Sequence, residues 1–299
     1  MGERTVNALL EGGGFFEGPR WHDDTWWVSD FYRHQVSTVT PDGAETVVVE
    51  VDQQPSGLGW LPDGSLVIAS MRDHQVLRYS AGVMTTLAEV GEHCGGLLND
   101  LVVDDQGHVF VGNFGFDIMG GEDPAPANLV RVDPDGTVSV AATDLNFPNG
   151  AVITPDGGTL IVGETTGNRC TAFTLDVDGN LTDRRVWAEF AAAPDATTFV
   201  DGLAQIVVAP DGCTLDAEGH LWVADALGNR AVRVAPGGEI VEEITAPGNL
   251  GVYACQLGGP AGTTLLLCSA PDFFEHNRMN TREAVLFTTE VDVPHAGLP

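Results

Sequence analysis

Short apolar runs of about four residues alternate with polar turns along the whole chain. Residues 26–29, 66–69, 109–112, 160–163, 221–224 and 265–268 are rich in β-branched, aromatic or aliphatic side chains. No segment keeps a 3.6-residue apolar period over three turns, so the pattern predicts strands and not helices. Asp-Gly turns separate the runs: Pro41-Asp42-Gly43, Pro62-Asp63-Gly64, Asp105-Gln106-Gly107, Pro134-Asp135-Gly136, Pro155-Asp156-Gly157 and Asp178-Gly179, with Glu218-Gly219 as a variant. Gly accepts the positive φ of a tight hairpin, and the Asp carboxylate bonds to nearby backbone amides.

Aligned on these turns, the runs resolve into a longer unit of strand, turn, second strand, loop and third strand. The matched starting positions are Glu17, Ser56, Asn99, Asn149, Asp211 and Tyr253, spaced 39, 43, 50, 62 and 42 residues apart. Periods of about 40–50 residues with about four strands each mark a propeller, in which no blade buries its faces alone. The expected fold is therefore all-β: a six-bladed β-propeller, with the N-terminal residues 6–10 as the outer strand that closes the last blade. Length alone suggests two domains, but the repeat makes residues 1–299 a single domain. The two long spacings place insertions near 116–128 and 188–210, where long loops are often functional.

Composition narrows the partners. Thirteen Lys+Arg stand against 43 Asp+Glu, a formal charge of −30, and all thirteen cations are Arg. Without Lys there is no Schiff-base chemistry and no Lys-containing phosphate loop. So acidic a chain is not expected to bind nucleic acid or an anionic membrane, which require clustered cations. No run of 18 apolar residues suggests a spanning helix. The N-terminus lacks a basic stretch leading into an apolar core, and the five Cys form no C-x-x-C. A cytoplasmic, reducing location is the expectation.

The aligned start of each unit opens the innermost strand, so these side chains converge at one mouth of the central channel. Four of the six are carbonyl or carboxylate oxygen donors: Glu17, Asn99, Asn149 and Asp211. The preference of Asp and Asn for turns entering strands accounts for one or two of them. Two carboxylates and two amides converging without a cation would leave costly charge in a partly enclosed channel. A divalent cation removes that cost, and hard oxygen donors favour Ca2+, with Mg2+, Mn2+ or Zn2+ also open.

The segments Glu17-Gly18-Pro19-Arg20-Trp21, Pro55-Ser56-Gly57-Leu58-Gly59-Trp60, Asn99-Asp100, Pro148-Asn149-Gly150 and residues 210–224 resemble the gluconolactonase family. That family also contains senescence marker protein and luciferin-regenerating enzyme. The resemblance covers most of the chain. It implies a six-bladed propeller holding a divalent metal through Glu17, Asn149 and Asp211, with Asn99 nearby or through water. It also implies hydrolysis of a small-molecule lactone or related ester, with the Asp211 position as general base. A metal can polarise the carbonyl or lower the pKa of a bound water, and Asp211, or else Asp100, would take the water proton. Asp201-Gly202 is a rival for Asp211, but it falls within the second insertion.

Departures from the family bear on the substrate. Sugar-lactonase members carry an Arg two residues before the Asn-Asp pair, where this chain has Leu97. An acid eighteen residues after the Asn is matched in kind by Asp117, and Phe114, Phe116, Ile118 and Met119 lie nearby. A less hydroxylated, more apolar lactone than gluconolactone is therefore expected, with Ser56, Leu97, Asp117, Phe116, Met119 and His93 as candidate substrate contacts. The run 149–165 also resembles strictosidine synthase-like propellers, whose condensing members use a channel Glu without metal. Glu164 would be that residue, but it ends a second strand, away from the mouth. His34 and His74 share one repeat position with Asn168 and Asn229 and read as turn chemistry. Competing readings keep the metal for organophosphate hydrolysis or a lyase or isomerase step, or make the propeller a binding platform around a structural metal.

Overall fold

The computed structural model describes residues 4–297. Among them, 24 strands form six four-stranded antiparallel sheets arranged as a six-bladed β-propeller. After β1 (Asn7–Gly13), blade 1 comprises β2 (Phe16–His22), β3 (Thr25–Asp30), β4 (Gln35–Val39) and β5 (Glu45–Glu50). Blade 2 comprises β6 (Pro55–Trp60), β7 (Leu66–Ser70), β8 (Gln75–Ser80) and β9 (Val83–Glu89). Blade 3 comprises β10 (Leu98–Val103), β11 (Val109–Asn113), β12 (Ala127–Val132) and β13 (Val138–Leu145). Blade 4 comprises β14 (Pro148–Ile153), β15 (Thr159–Glu164), β16 (Arg169–Leu175) and β17 (Leu181–Glu189). A short helix, α1 (Phe199–Leu203), precedes blade 5, which comprises β18 (Pro210–Leu215), β19 (Leu221–Asp225), β20 (Arg230–Val234) and β21 (Ile240–Thr245). Blade 6 comprises β22 (Gly251–Gly258), β23 (Thr264–Ala270) and, after α2 (Glu275–Arg278), β24 (Ala284–Glu290).

The outer place of blade 6 is taken by β1, which sets Asn7 opposite Thr288 and Gly13 opposite Ala284. The N-terminal segment thus closes the ring as the repeat predicted. Blades pack face to face through apolar side chains; Trp21 and Trp26, with ring centroids 4.7 Å apart, meet Leu266, Cys268 and Leu286 of blade 6. No helix among the described residues is long and apolar enough to cross a membrane.

Local chemistry explains the corners. His34, His74, Asn168 and Asn229 all adopt a left-handed φ of 53–54° between the second and third strands of their blades. Asn and His tolerate that region better than most residues, which accounts for the shared repeat position. A second device holds the mouth loops. The last residue of the second strand accepts backbone amides from the loop entering the inner strand: Asp30 from Gly14 and Phe15, Asn113 from Gly95, Glu164 from Asn146, and Asp225 from Ala209.

Glu164 is therefore a loop clamp away from the cavity. It also accepts from Arg169 Nε at 2.8 Å and from Thr171. Burial pushes its carboxyl up, but Arg169, Thr171 and the Asn146 amide outweigh burial and hold it below its ordinary value. A depressed folded pKa contributes stability above the unfolded value that is lost as pH falls through the folded value. Glu164→Gln is expected to cost about 1–2 kcal/mol at neutral pH, discounted because Arg169 is partly exposed. The gap to the wild type should shrink in urea melts below about pH 4.

Candidate active site: a buried acidic floor under an aromatic wall

Each inner strand carries a register shift close to its aligned start. The shift spans Pro55/Leu58, Leu98/Leu101, Pro148/Ala151 and Pro210/Cys213 in β6, β10, β14 and β18, Glu17/Arg20 in β2 and Val252/Ala254 in β22. A bulge breaks strict alternation and re-aims a side chain. In this way Glu17, Asn99, Asn149 and Asp211, from four different blades, come to line one cavity at the channel mouth. The residue after the start carries no side chain in four blades (Gly18, Gly57, Gly150 and Gly212), because it packs on the next inner strand. Blade 3 instead places Asp100 there. Its carboxylate accepts from Arg20 Nη2 at 3.0 Å, and the same nitrogen donates to Leu101 O at 2.7 Å. Arg20 and Asp100 are 3% and 4% exposed and form a plug behind the floor.

The floor is electrostatically unbalanced. Burial first, then Asp211 and Asp100, push the Glu17 carboxyl well above its ordinary value, although it accepts Gly18 N at 2.8 Å. Burial and then Asp100 do the same to Asp211. Three buried carboxylates face one guanidinium, so two negative charges lack a protein partner when all are ionised. The described residues hold no cluster of three His, Cys, Asp or Glu arranged for a metal, and two of the four donors here are amides. Even so, an all-oxygen donor set with an excess of two negative charges fits one hard divalent cation. Thr165 Oγ1 spends its proton on Pro210 O at 2.7 Å, so it can only accept from Asn149 Nδ2 at 3.0 Å. That contact fixes the amide and leaves Asn149 Oδ1 to the cavity.

Above the floor, the wall is built from two rings with one residue from each of blades 1–5. The first lies two positions before the aligned start: Phe15, Gln54, Leu97 and Phe147 line the cavity, and Ala209 lies behind it. The second follows the second strand: Phe31, Met71, Phe114, Thr165 and Ala226. Backbone bonds tie the rings blade by blade, from Phe31 N to Phe15 O, Met71 N to Gln54 O, Phe114 N to Leu97 O, Thr165 N to Phe147 O and Ala226 N to Ala209 O, all 2.9–3.1 Å. Tyr253 and Phe273 complete the wall from blade 6. The cavity encloses about 830 Å3 when its open mouth is included.

Several expected contacts lie elsewhere. Ser56 is fully buried beside the floor, where its hydroxyl donates to Asn99 Oδ1 at 3.2 Å, so it supports Asn99 and does not line the cavity. Asp100 is committed to Arg20. Asp117 is exposed and accepts Gly120 N at 2.8 Å in its own turn. Phe116 turns away from the cavity to pack on Phe199, with centroids 5.8 Å apart. His93 lies off the wall in the loop before β10, where its carbonyl accepts from Asn128. Leu97 and Met119 do line the cavity, whereas Asp201 sits exposed on α1. Apart from Leu97 and Phe114, the members of the two wall rings, Thr165 among them, were missed; the same repeat alignment, shifted by two residues, would have found the rest of the first ring.

Residues 15–271 match the family model described as an SMP-30/Gluconolactonase/LRE-like region. The chain is 29% identical over 258 residues to a pentonolactonase from Haloferax volcanii, covering 85% of this chain and 81% of that relative. It is 24% identical over 280 residues to a 6-deoxy-6-sulfogluconolactonase from Pseudomonas putida, covering 91% and 88%. Its fold superposes with a TM-score of 0.78 on a calcium-binding protein, regucalcin, from Agrobacterium tumefaciens, at 22% identity and with 99% and 97% of the two chains covered.

Proposed function

The chain belongs to the SMP-30/gluconolactonase/LRE-like family, and we propose that it hydrolyses a lactone or related ester over the Glu17–Asn99–Asn149–Asp211 floor, with a divalent cation, Ca2+ first, as cofactor. The observation that carries this reading is the meeting of four oxygen-bearing side chains from four blades on one buried, negatively charged floor. Lactonases among its relatives and a calcium-binding structural neighbour support it.

Glu17, Asn149 and Asp211 would hold the cation, with Asn99 beside them. When bound, it supplies charge that polarises the carbonyl and acidifies water. The protein's own contribution is proton handling and positioning. Asp211 faces the cavity, while Asp100 is committed to Arg20 and does not, so Asp211 is the carboxylate placed to take a proton from water. Asp211 Oδ therefore takes the proton as water oxygen joins the carbonyl carbon. The ring C–O bond then breaks, and the proton passes to the leaving oxygen to give the hydroxy acid. Thr165 acts through Asn149: Thr165→Val, which keeps shape and removes the acceptor, is expected to lower kcat/KM about tenfold with little change in fold by circular dichroism.

A lactone panel followed by pH-stat, before and after chelation and on return of Ca2+, Mg2+ or Mn2+, tests the reading. Hydrolysis should fall at least about a hundredfold on chelation and recover on addition of a cation. Turnover indifferent to chelator, or absent with every cation and lactone, overturns it.

A further inference from the structure

Resting on the hydrolase reading above, we infer that the substrate is an uncharged, hydroxyl-poor lactone or ester bearing an aryl or alkyl substituent, gripped by a lid made from the two insertions. The wall leads to the first half of this statement. Seven of the nine cavity-lining positions in the two rings are apolar. The polar groups of the wall are few: Gln54 in the first ring, Thr165 in the second, and the Tyr32, Thr166 and Tyr253 hydroxyls beside them. Thr165 spends its hydroxyl on Pro210 and Asn149, and Glu275 at the rim is engaged by Arg72. A polyhydroxylated ring would give up water at several hydroxyls and set part of them against aromatic faces, which opposes binding. No Arg, Lys or His lines the cavity among the described residues. A carboxylate, sulfonate or phosphate on the substituent would meet no counter-charge from the wall.

The second half follows from the lid. In the insertion between blades 4 and 5, Phe199 and Leu203 lie one helical turn apart on α1 and, with Ile206, turn inward onto the cavity. Val200 and Val207 face outward, 74% and 58% exposed, so the segment has an apolar side directed at the ligand space. From the insertion in blade 3, Ile118 and Met119 meet the cavity beside them. The Phe116–Phe199 contact joins the two insertions into one cover. An aryl or alkyl group above a lactone ring on the floor would fill the space between this cover and the Phe114–Phe147 pair, whose centroids are 4.5 Å apart.

Two non-hydrolysable δ-lactams separate the substrate class from the reaction: 6-phenylpiperidin-2-one and glucono-δ-lactam, titrated calorimetrically into the Ca2+-loaded protein. The phenyl lactam is expected to bind at least about tenfold more tightly. Phe199→Ala and Leu203→Ala, at half-buried lid positions, should each weaken it at least about threefold and leave glucono-δ-lactam within about twofold. Equal or tighter binding of glucono-δ-lactam, or binding of neither lactam, overturns the inferred class. An unchanged ratio in both variants overturns the role of the lid. If the phenyl lactam binds as expected but no lactone is hydrolysed, the hydrolase reading fails while the class of ligand stands.

Discussion

Asp211→Asn and Glu17→Gln are each expected to lower kcat/KM for the best lactone by about a thousandfold or more, and yet to raise the melting temperature of the cation-stripped protein. The two effects have one origin. Glu17 is lifted well above its ordinary pKa by burial, then by Asp211 and Asp100, and Asp211 is lifted by burial and then by Asp100. For a carboxyl whose folded pKa is raised, stability is full below about pH 4, where the unfolded chain also holds its protons, and is lost as pH rises through the folded value. The stripped wild type should therefore weaken on going from mild acid to neutrality, and each amide variant, lacking one of these charges, should weaken less. Saturating Ca2+ should reverse the order, because a ligand that binds only the folded form adds stability in proportion to its affinity, and the variants have lost a charged donor. Scanning calorimetry in chelator and then in Ca2+, beside initial rates, measures both arms. Variants that retain activity within tenfold of wild type would remove the floor from the chemistry. Variants less stable than wild type in chelator would mean that the carboxylates are structural.

The opposition between stability and activity also explains what could be read from the chain. The blade repeat was legible because each corner has its own local chemistry. Asp-Gly turns and the left-handed His34, His74, Asn168 and Asn229 are decided by a few residues and need no distant partner. The floor was legible for a related reason: a bulge sits at or within a residue of the aligned start in every inner strand, so one alignment gathers Glu17, Asn99, Asn149 and Asp211. Asp100 was not legible as a plug. Its partner Arg20 lies 80 residues earlier, across the channel from a blade that is not its neighbour. Only the Gly18, Gly57, Gly150 and Gly212 series hints that a carboxylate at that position is exceptional. The insertions were legible as long loops. Their order was not, because contacts such as Phe116 with Phe199 depend on how two irregular segments meet. Asp117 and Phe116 enter as expected substrate contacts from a family position and its neighbourhood, and position along the chain does not say which way a loop side chain turns.

The same glycine series leads to the largest expected loss of stability. Around the axis the inner strands approach so closely that in four of the six blades one residue has no room for a side chain. A Cβ at Gly57 would lie 2.7 Å from Asp100 C and 2.8 Å from Asp100 Cα, and nearer still to Leu101 N. All three are backbone atoms of β10, so no rotamer change relieves the overlap and the two strands must part. Gly57→Ala is expected to cost about 3 kcal/mol or more in urea melts, at the upper end of overpacking by one methyl group. Gly64→Ala serves as the control. Gly64 sits in a hairpin turn at φ +81° with nothing within 4 Å of a new Cβ, so only the left-handed strain of about 1 kcal/mol should appear. Parting β6 from β10 also shifts Asn99 and the Ser56 hydroxyl that supports it. Gly57→Ala should therefore lose lactone turnover even at temperatures where it remains folded, although residue 57 carries no functional group. If its cost matched that of Gly64→Ala, the inner strands would have slack, and the placing of the four donors in one cavity would lose its physical basis.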